Sequence, residues 1–179
     1  MNILDIFLIL FLIAAAIGLV YAIFYNKLSY YKTRIERAES IIDDNLRKKY
    51  DKICELNIEI KKVVNKRDYL KEYIDLKDKK ISNFDLDRKL ITAMNTIKEL
   101  ISDNKELDNK VTKDLLKDVE KIDLELESGK NYYNKNNTEL NSIVRKFPSN
   151  IVAKIHRYKI QPYFDGKNMQ DAVIDDFKL

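Results

Sequence analysis

The sequence predicts an all-α protein: an N-terminal transmembrane helix followed by an elongated antiparallel helical bundle with two long helices and shorter ones. Three observations carry that expectation. Ile6 to Phe24 are nineteen consecutive residues without a charge. From Leu28 onward, apolar residues recur at steps of three and four among Lys and Glu, which is the period of an amphipathic helix. Glycine and proline, the usual punctuators of turns, number only three and two in 179 residues.

Residues 1–5 are expected to form a short external N-terminus and residues 6–24 the span. A nineteen-residue helix rises about 28 Å, close to the hydrocarbon thickness of a bilayer. Thirteen of those nineteen residues are Ile, Leu, Phe or Val, each worth roughly −0.3 to −0.6 kcal/mol for insertion, whereas one central charge would cost about 2.5–3.5 kcal/mol. Ala14, Ala15, Ala16 and Gly18 could offer a signal-peptidase site, but a signal peptide opens on a basic region and Met1, Asn2, Ile3, Leu4 and Asp5 contain no Lys or Arg. Basic residues begin afterwards, at Lys27, Lys32, Arg34 and Arg37. The positive-inside rule therefore places the N-terminus outside and the C-terminal part in the cytoplasm, as a single-pass protein of the cell membrane.

All 33 basic residues and 28 of the 29 acidic ones lie beyond the span, a net charge of about +5 there. Lys alternates with Asp and Glu, without the basic stripe that tracks phosphates, so nucleic acid is not an expected partner. A lone Cys54 excludes an internal disulfide and suits a reducing compartment. The single His156 cannot build a histidine metal site, and a surface or satisfied structural histidine is the expectation. No cofactor, metal or small-molecule substrate is predicted.

Residues 25–164 are expected to be the bundle. Ile35, Ala38, Ile42, Leu46, Tyr50, Ile53, Leu56, Ile60, Val63, Leu70 and Ile74 define the stripe of a first helix from Leu28 to about Asp78, roughly 75 Å long. Such a helix needs a partner for its apolar face. The stretch 78–87, with Ser82, Asn83 and Asp85, reads as a turn. A shorter helix from Asp87 to Ile101 carries Leu90, Ala93 or Met94, Ile97 and Ile101, and 102–109 is a polar break. A second long helix begins near Lys110 on Val111, Leu115, Val119, Ile122, Leu126, Tyr133, Leu140 and Val144, and Pro148 ends it. Gly129 inside it costs about 1 kcal/mol relative to Ala.

Asn131, Asn134, Asn137 and Asn141 share one side of that helix. These side chains read either as a solvated edge or as residues buried and hydrogen-bonded across the bundle, which would fix helix register. Ser149 or Asn150 can cap a short helix through Ile151, Val152, Ile155 and His156. Tyr163 and Phe164 are expected to plug one end of the bundle. Gly166 allows a turn, and 165–179 form a short tail, extended from Val173 to Phe177.

Several of these landmarks form an ordered pattern. Tyr25-Asn26-Lys27-Leu28 follows the span, then come Ala38, Ser40, Ile42-Asp43, Leu46-Arg47-Lys48-Lys49-Tyr50-Asp51, Ile53 and Leu56. The pattern resumes at Val119-Glu120, Leu126, Tyr133-Asn134 and Asn141 and continues through Phe147-Pro148-Ser149-Asn150-Ile151-Val152-Ala153 to Pro162-Tyr163-Phe164. It resembles the LemA family of bacterial membrane-anchored helical proteins over nearly the whole chain. Where that family usually has Pro-Asn-Leu-Val, this chain has Cys54-Glu55-Leu56-Asn57, and Asn137 and Leu140 stand where Val and Tyr are usual. Without that proline the first helix is expected to be straighter. The resemblance implies a single-pass membrane protein with a helical bundle and brings no reaction with it. Because Asn134 and Asn141 fall at recurring asparagine positions of that family, it favours burial for those two and solvent for Asn131 and Asn136, and replacing Asn141 by Leu is then expected to leave the protein folded, raising stability while loosening register.

No catalytic constellation is apparent. The acidic neighbours Asp43 with Asp44, Asp85 with Asp87, and Asp175 with Asp176 read as solvated faces, caps or tail, so an enzyme is not expected. The expectation is an interaction or scaffold module at the inner membrane face, with a protein partner or self-association through the long helices. The alternative is an envelope-sensing regulatory module with two conformational states.

Overall fold

The computed structural model describes residues 2–64, 69–76 and 81–164, and every regular element among them is helical. In chain order these are α1 (Ile3–Val63), α2 (Lys71–Ile74), α3 (Asn83–Asp103), a 3-10 turn at Lys105–Leu107, α4 (Lys110–Arg145) and α5 (Ser149–Ile155). The chain divides into two compact units, Met1–Arg37 with Tyr133–Tyr163, and Ala38–Tyr132 with Phe164–Leu179. The expected single bundle of 25–164 is thus shared between them. The tail expected over 165–179, with its extended part at 173–177, lies outside the described residues.

The apolar N-terminal stretch and the first amphipathic helix are one uninterrupted helix, α1, which ends at Val63 and not near Asp78. Val63, Val64 and Asn65 are successive weak helix formers, and Leu70 and Ile74 belong to or flank the separate α2. The predicted stripe is otherwise sound: Ile35, Ala38, Ile42, Leu46, Ile53, Leu56 and Ile60 are buried. Three polar residues, Asn45, Lys49 and Asn57, are buried with them.

α3 starts at Asn83, a full turn before the expected Asp87. Ser82 is its N-cap, accepting from the Asp85 amide at 3.1 Å while its hydroxyl donates to the Asp85 carboxylate at 2.7 Å. These turn residues are therefore a helix start, and Phe84 behind them is buried. The polar break at 102–109 contains a buried Leu107. Asn104 donates to the Leu100 carbonyl at the end of α3, and Asn109 accepts from the Thr112 amide at the start of α4.

The α4 stripe runs Val119, Leu126, Tyr133 and Leu140, all buried, at steps of seven. Its first turn departs from expectation, with Val111 exposed and Thr112 buried. In the unit of Ala38–Tyr132 with Phe164–Leu179, Lys49 Nζ lies 2.6 Å from Asp123, Lys52 Nζ lies 3.3 Å from Asp118, and Gly129 faces Ile42. A Cβ on Gly129 would sit 3.4 Å from Ile42 Cγ1 and 3.6 Å from Ile41 Cγ2. That is ordinary contact, so the small residue permits a close approach of α1 and α4 without strictly requiring it.

Candidate functional site

Of the acidic pairs singled out in the sequence, the described ones make local contacts. Asp43 pairs with Arg47 at 2.9 Å and Asp44 with Lys48 at 2.6 Å, each one turn along α1. Lys48 is held above the usual lysine range by its hydrogen bond and charge attraction to Asp44. Lys52 is raised likewise by hydrogen bonds to Glu55 and Asp118. Asp85 belongs to the α3 cap. Asp87 departs from the solvated reading: it is buried and ion-paired with Lys130, whose ammonium also lies 5.1 Å from the Phe164 ring. One Asp87 oxygen, Oδ1, has no hydrogen-bond partner among the described residues. Asp175 and Asp176 lie outside the described residues. Among those described, no cluster of three or more His, Cys, Asp or Glu could hold a metal ion.

Phe164 is buried edge-on against Phe84, with the ring centroids 5.9 Å apart. Tyr50 donates its hydroxyl to the Ile74 carbonyl, so the motif tyrosine fastens α2 to α1.

The densest group of motif residues lies in the unit of Met1–Arg37 with Tyr133–Tyr163. Here the end of α4 and the whole of α5 are tied down by side chains. The Asn141 amide donates to the Gln161 carbonyl at 2.8 Å, and its oxygen accepts from the Gln161 amide at 2.8 Å. One turn earlier on α4, Asn137 donates to the Pro162 carbonyl at 2.7 Å. These asparagines clasp the returning segment after α5; Asn141 does not set helix register as expected. Asn136, expected in solvent, is buried, while Asn131 is exposed and Asn134 half-buried.

Ser149 does not cap α5. Pro148 occupies that position without a side-chain bond. The Ser149 hydroxyl instead reaches back to the carbonyls of Ile143 and Lys146 at 2.7 and 2.8 Å, around the end of α4, where the Lys146 carbonyl also accepts from the Asn150 amide. α5 closes with the Tyr158 amide on the Ala153 carbonyl and the Arg157 amide on that of Lys154. This paired arrangement puts Arg157 in the left-handed region at φ 58, where glycine is usual. No residue type in the sequence signals that turn.

The end of α5 rests on the apolar part of α1. His156 Nε2 and Tyr21 Oη share a hydrogen bond of 2.6 Å, and the His156 ring lies 4.6 Å from that of Tyr25. Lys32 Nζ stands 6.0 Å from the Tyr158 ring. His156 is thus an exposed, hydrogen-bonded structural histidine, as the sequence suggests. Among the other motif positions, Leu28, Leu46 and Tyr133 are core residues. Asn26, Asp51 and Asn150 are exposed, Asp43 and Pro148 half-buried. Phe147 is almost fully exposed.

A family model described as the LemA family matches residues 38–176. No curated protein and no solved structure gives a significant match.

Proposed function

The chain belongs to the LemA family, and from that premise we propose that it is a single-pass membrane protein presenting its helices at the inner membrane face as a non-catalytic interaction module. The observation that carries this reading is α1 itself. Its N-terminal part is apolar and exposed from Ile3 to Ile23, and the same helix passes without a break into the buried stripe that begins at Leu28. Apolar exposure on that scale is unfavourable in water and favourable in hydrocarbon. Lys27, Lys32, Arg34 and Arg37 support an orientation with the N-terminus outside. Long amphipathic helices such as α1 and α4 suit lateral recognition by a protein partner.

A phosphatase that is active only outside the cytoplasm, fused after Leu179, tests the orientation. The expected activity is near background, and strong activity overturns the topology. Cross-linking in intact membranes tests the role: a specific stoichiometric protein partner supports a scaffold. A partner set that changes with membrane stress favours the sensing module instead.

A further inference from the structure

We propose that α5 and the segment that follows it lie on the anionic lipid surface beside the inner end of the span, with Phe147, Ile151 and Ile155 among the acyl chains and Lys146, Lys154, Arg157 and Lys159 on lipid phosphates. The inference rests on reading Ile6–Phe24 as a membrane span. It adds a second, peripheral membrane contact made by a part of the chain more than a hundred residues away.

The first support is the exposed face. Phe147, Ile151 and Ile155 are 80, 52 and 60 % exposed, and their steps of four place Ile151 and Ile155 on one side of α5. The other side is committed to the interior, with Ser149, Val152 and Ala153 buried. A seven-residue helix with one side in the protein and an apolar side in the open resembles an interfacial element.

Charge selects the occupant. From Leu140 to Phe164 the chain has five basic residues, Arg145, Lys146, Lys154, Arg157 and Lys159, and not one Asp or Glu. Across 25–37 and 133–163 together, ten basic residues face two acidic ones, Glu36 and Glu139, a net +8. The remainder of the chain beyond the span, 38–132 with 164–179, holds 23 basic and 26 acidic residues, a net −3. The overall +4 therefore conceals a segregation. A second copy would bring like charges together, which opposes association, whereas an anionic leaflet complements them.

Position completes the case. His156, directly after Ile155, is hydrogen-bonded to Tyr21, and Tyr21 stands three residues before the end of the span at Phe24. At 1.5 Å per residue that is about 5 Å inside the hydrocarbon boundary, the level at which tyrosines concentrate in membrane proteins. The α5 face thus ends where acyl chains give way to headgroups.

The chain contains no tryptophan, so single reporters in the full-length protein are free of background. I151W and, separately, L8W would be reconstituted in vesicles of phosphatidylcholine with phosphatidylglycerol, carrying bromine at shallow or deep acyl positions. The expected result is a blue-shifted I151W emission quenched about twofold by shallow bromines, with L8W quenched most by deep ones. Quenching of L8W without quenching of I151W overturns the inference and leaves the span standing. Absence of quenching at both positions overturns the span reading itself. An I151W shift that rises with protein-to-lipid ratio but ignores the bromines identifies a second copy as the occupant and also overturns the inference. Equal quenching of I151W in purely zwitterionic vesicles overturns the role given to the basic residues.

Discussion

Replacing Asn141 by Leu is the sharpest test of how the unit of Met1–Arg37 with Tyr133–Tyr163 is held together. The two 2.8 Å bonds between Asn141 and the Gln161 backbone occupy both polar ends of a buried amide. A hydrogen bond of this kind contributes about 0.5–1.5 kcal/mol net, so the pair contributes about 1–3 kcal/mol. Leucine also leaves the half-buried Gln161 amide and carbonyl without their partner, which moves the cost toward the upper part of that range. Extra apolar area at position 141 offsets little, because the neighbouring groups are backbone polar atoms. The expected loss is about 2 kcal/mol, equivalent to roughly a thirtyfold fall in exchange protection. Hydrogen–deuterium exchange on the detergent-solubilised protein reads it directly at the Gln161 amide, with α3 amides as an internal reference. Unchanged protection at Gln161, or a stability gain, would refute the clasp and restore the view of Asn141 as a register-setting polar residue.

Two further substitutions probe the other unit. Gly129→Ala should stabilise by about 0.5–1 kcal/mol, since the added methyl meets Ile42 and Ile41 only at ordinary contact distance while glycine is a poor helix former. Gly129→Leu should instead destabilise by about 1–3 kcal/mol through overpacking against Ile42. Urea midpoints of the two variants in one detergent decide the sign, and a loss with alanine would show that α1 and α4 tolerate no methyl between them. Asp87→Ala should cost about 2 kcal/mol, less than a fully buried pair because the Lys130 ammonium stays partly in water. A thermal melt shifted by under a degree would show that Lys130 finds water without strain.

The helices were legible because burial on one face imposes a period, and the buried steps of seven in α4 are that period in its plainest form. Pro148 likewise announces the end of α4 through its missing donor. Three features resisted reading for physical reasons. Ser82 and Asp85 are both turn formers and cap formers, and only the Phe84 burial behind them decides between the two. Ser149 is a residue type that favours N-caps, yet its hydroxyl serves the preceding helix; direction of donation is invisible in residue type. Asp87 reads as a solvent residue because its partner, Lys130, arrives from a distant part of the chain, and the burial of Lys49 beside Asp123 goes unsignalled for the same reason. The basic segment at 140–164 was open to view, but charge averaged over the chain hides it, and lysines mixed with acids elsewhere make the mean look uniform.

The left-handed Arg157 connects fold energetics to the membrane contact. Holding a non-glycine residue in that region costs about 1–2 kcal/mol, so glycine would be the cheaper choice at φ 58. A cation at an anionic membrane surface is worth about 1 kcal/mol, which is the same scale. The two effects nearly cancel when the segment is on lipid, and only the cost remains when it is in water. Tethering makes that margin sufficient: α1 already holds the segment at the surface, so docking loses none of the translational freedom that burdens a free peptide. With that term removed, a net gain of about 2 kcal/mol from Phe147, Ile151, Ile155 and their basic neighbours keeps roughly thirty molecules docked for each one released. An Arg157→Gly variant therefore separates the contributions, because it should stabilise the protein in neutral detergent by about 1 kcal/mol while weakening the I151W quenching in anionic vesicles. Stabilisation with unchanged quenching would show that the arginine charge never reaches the lipid.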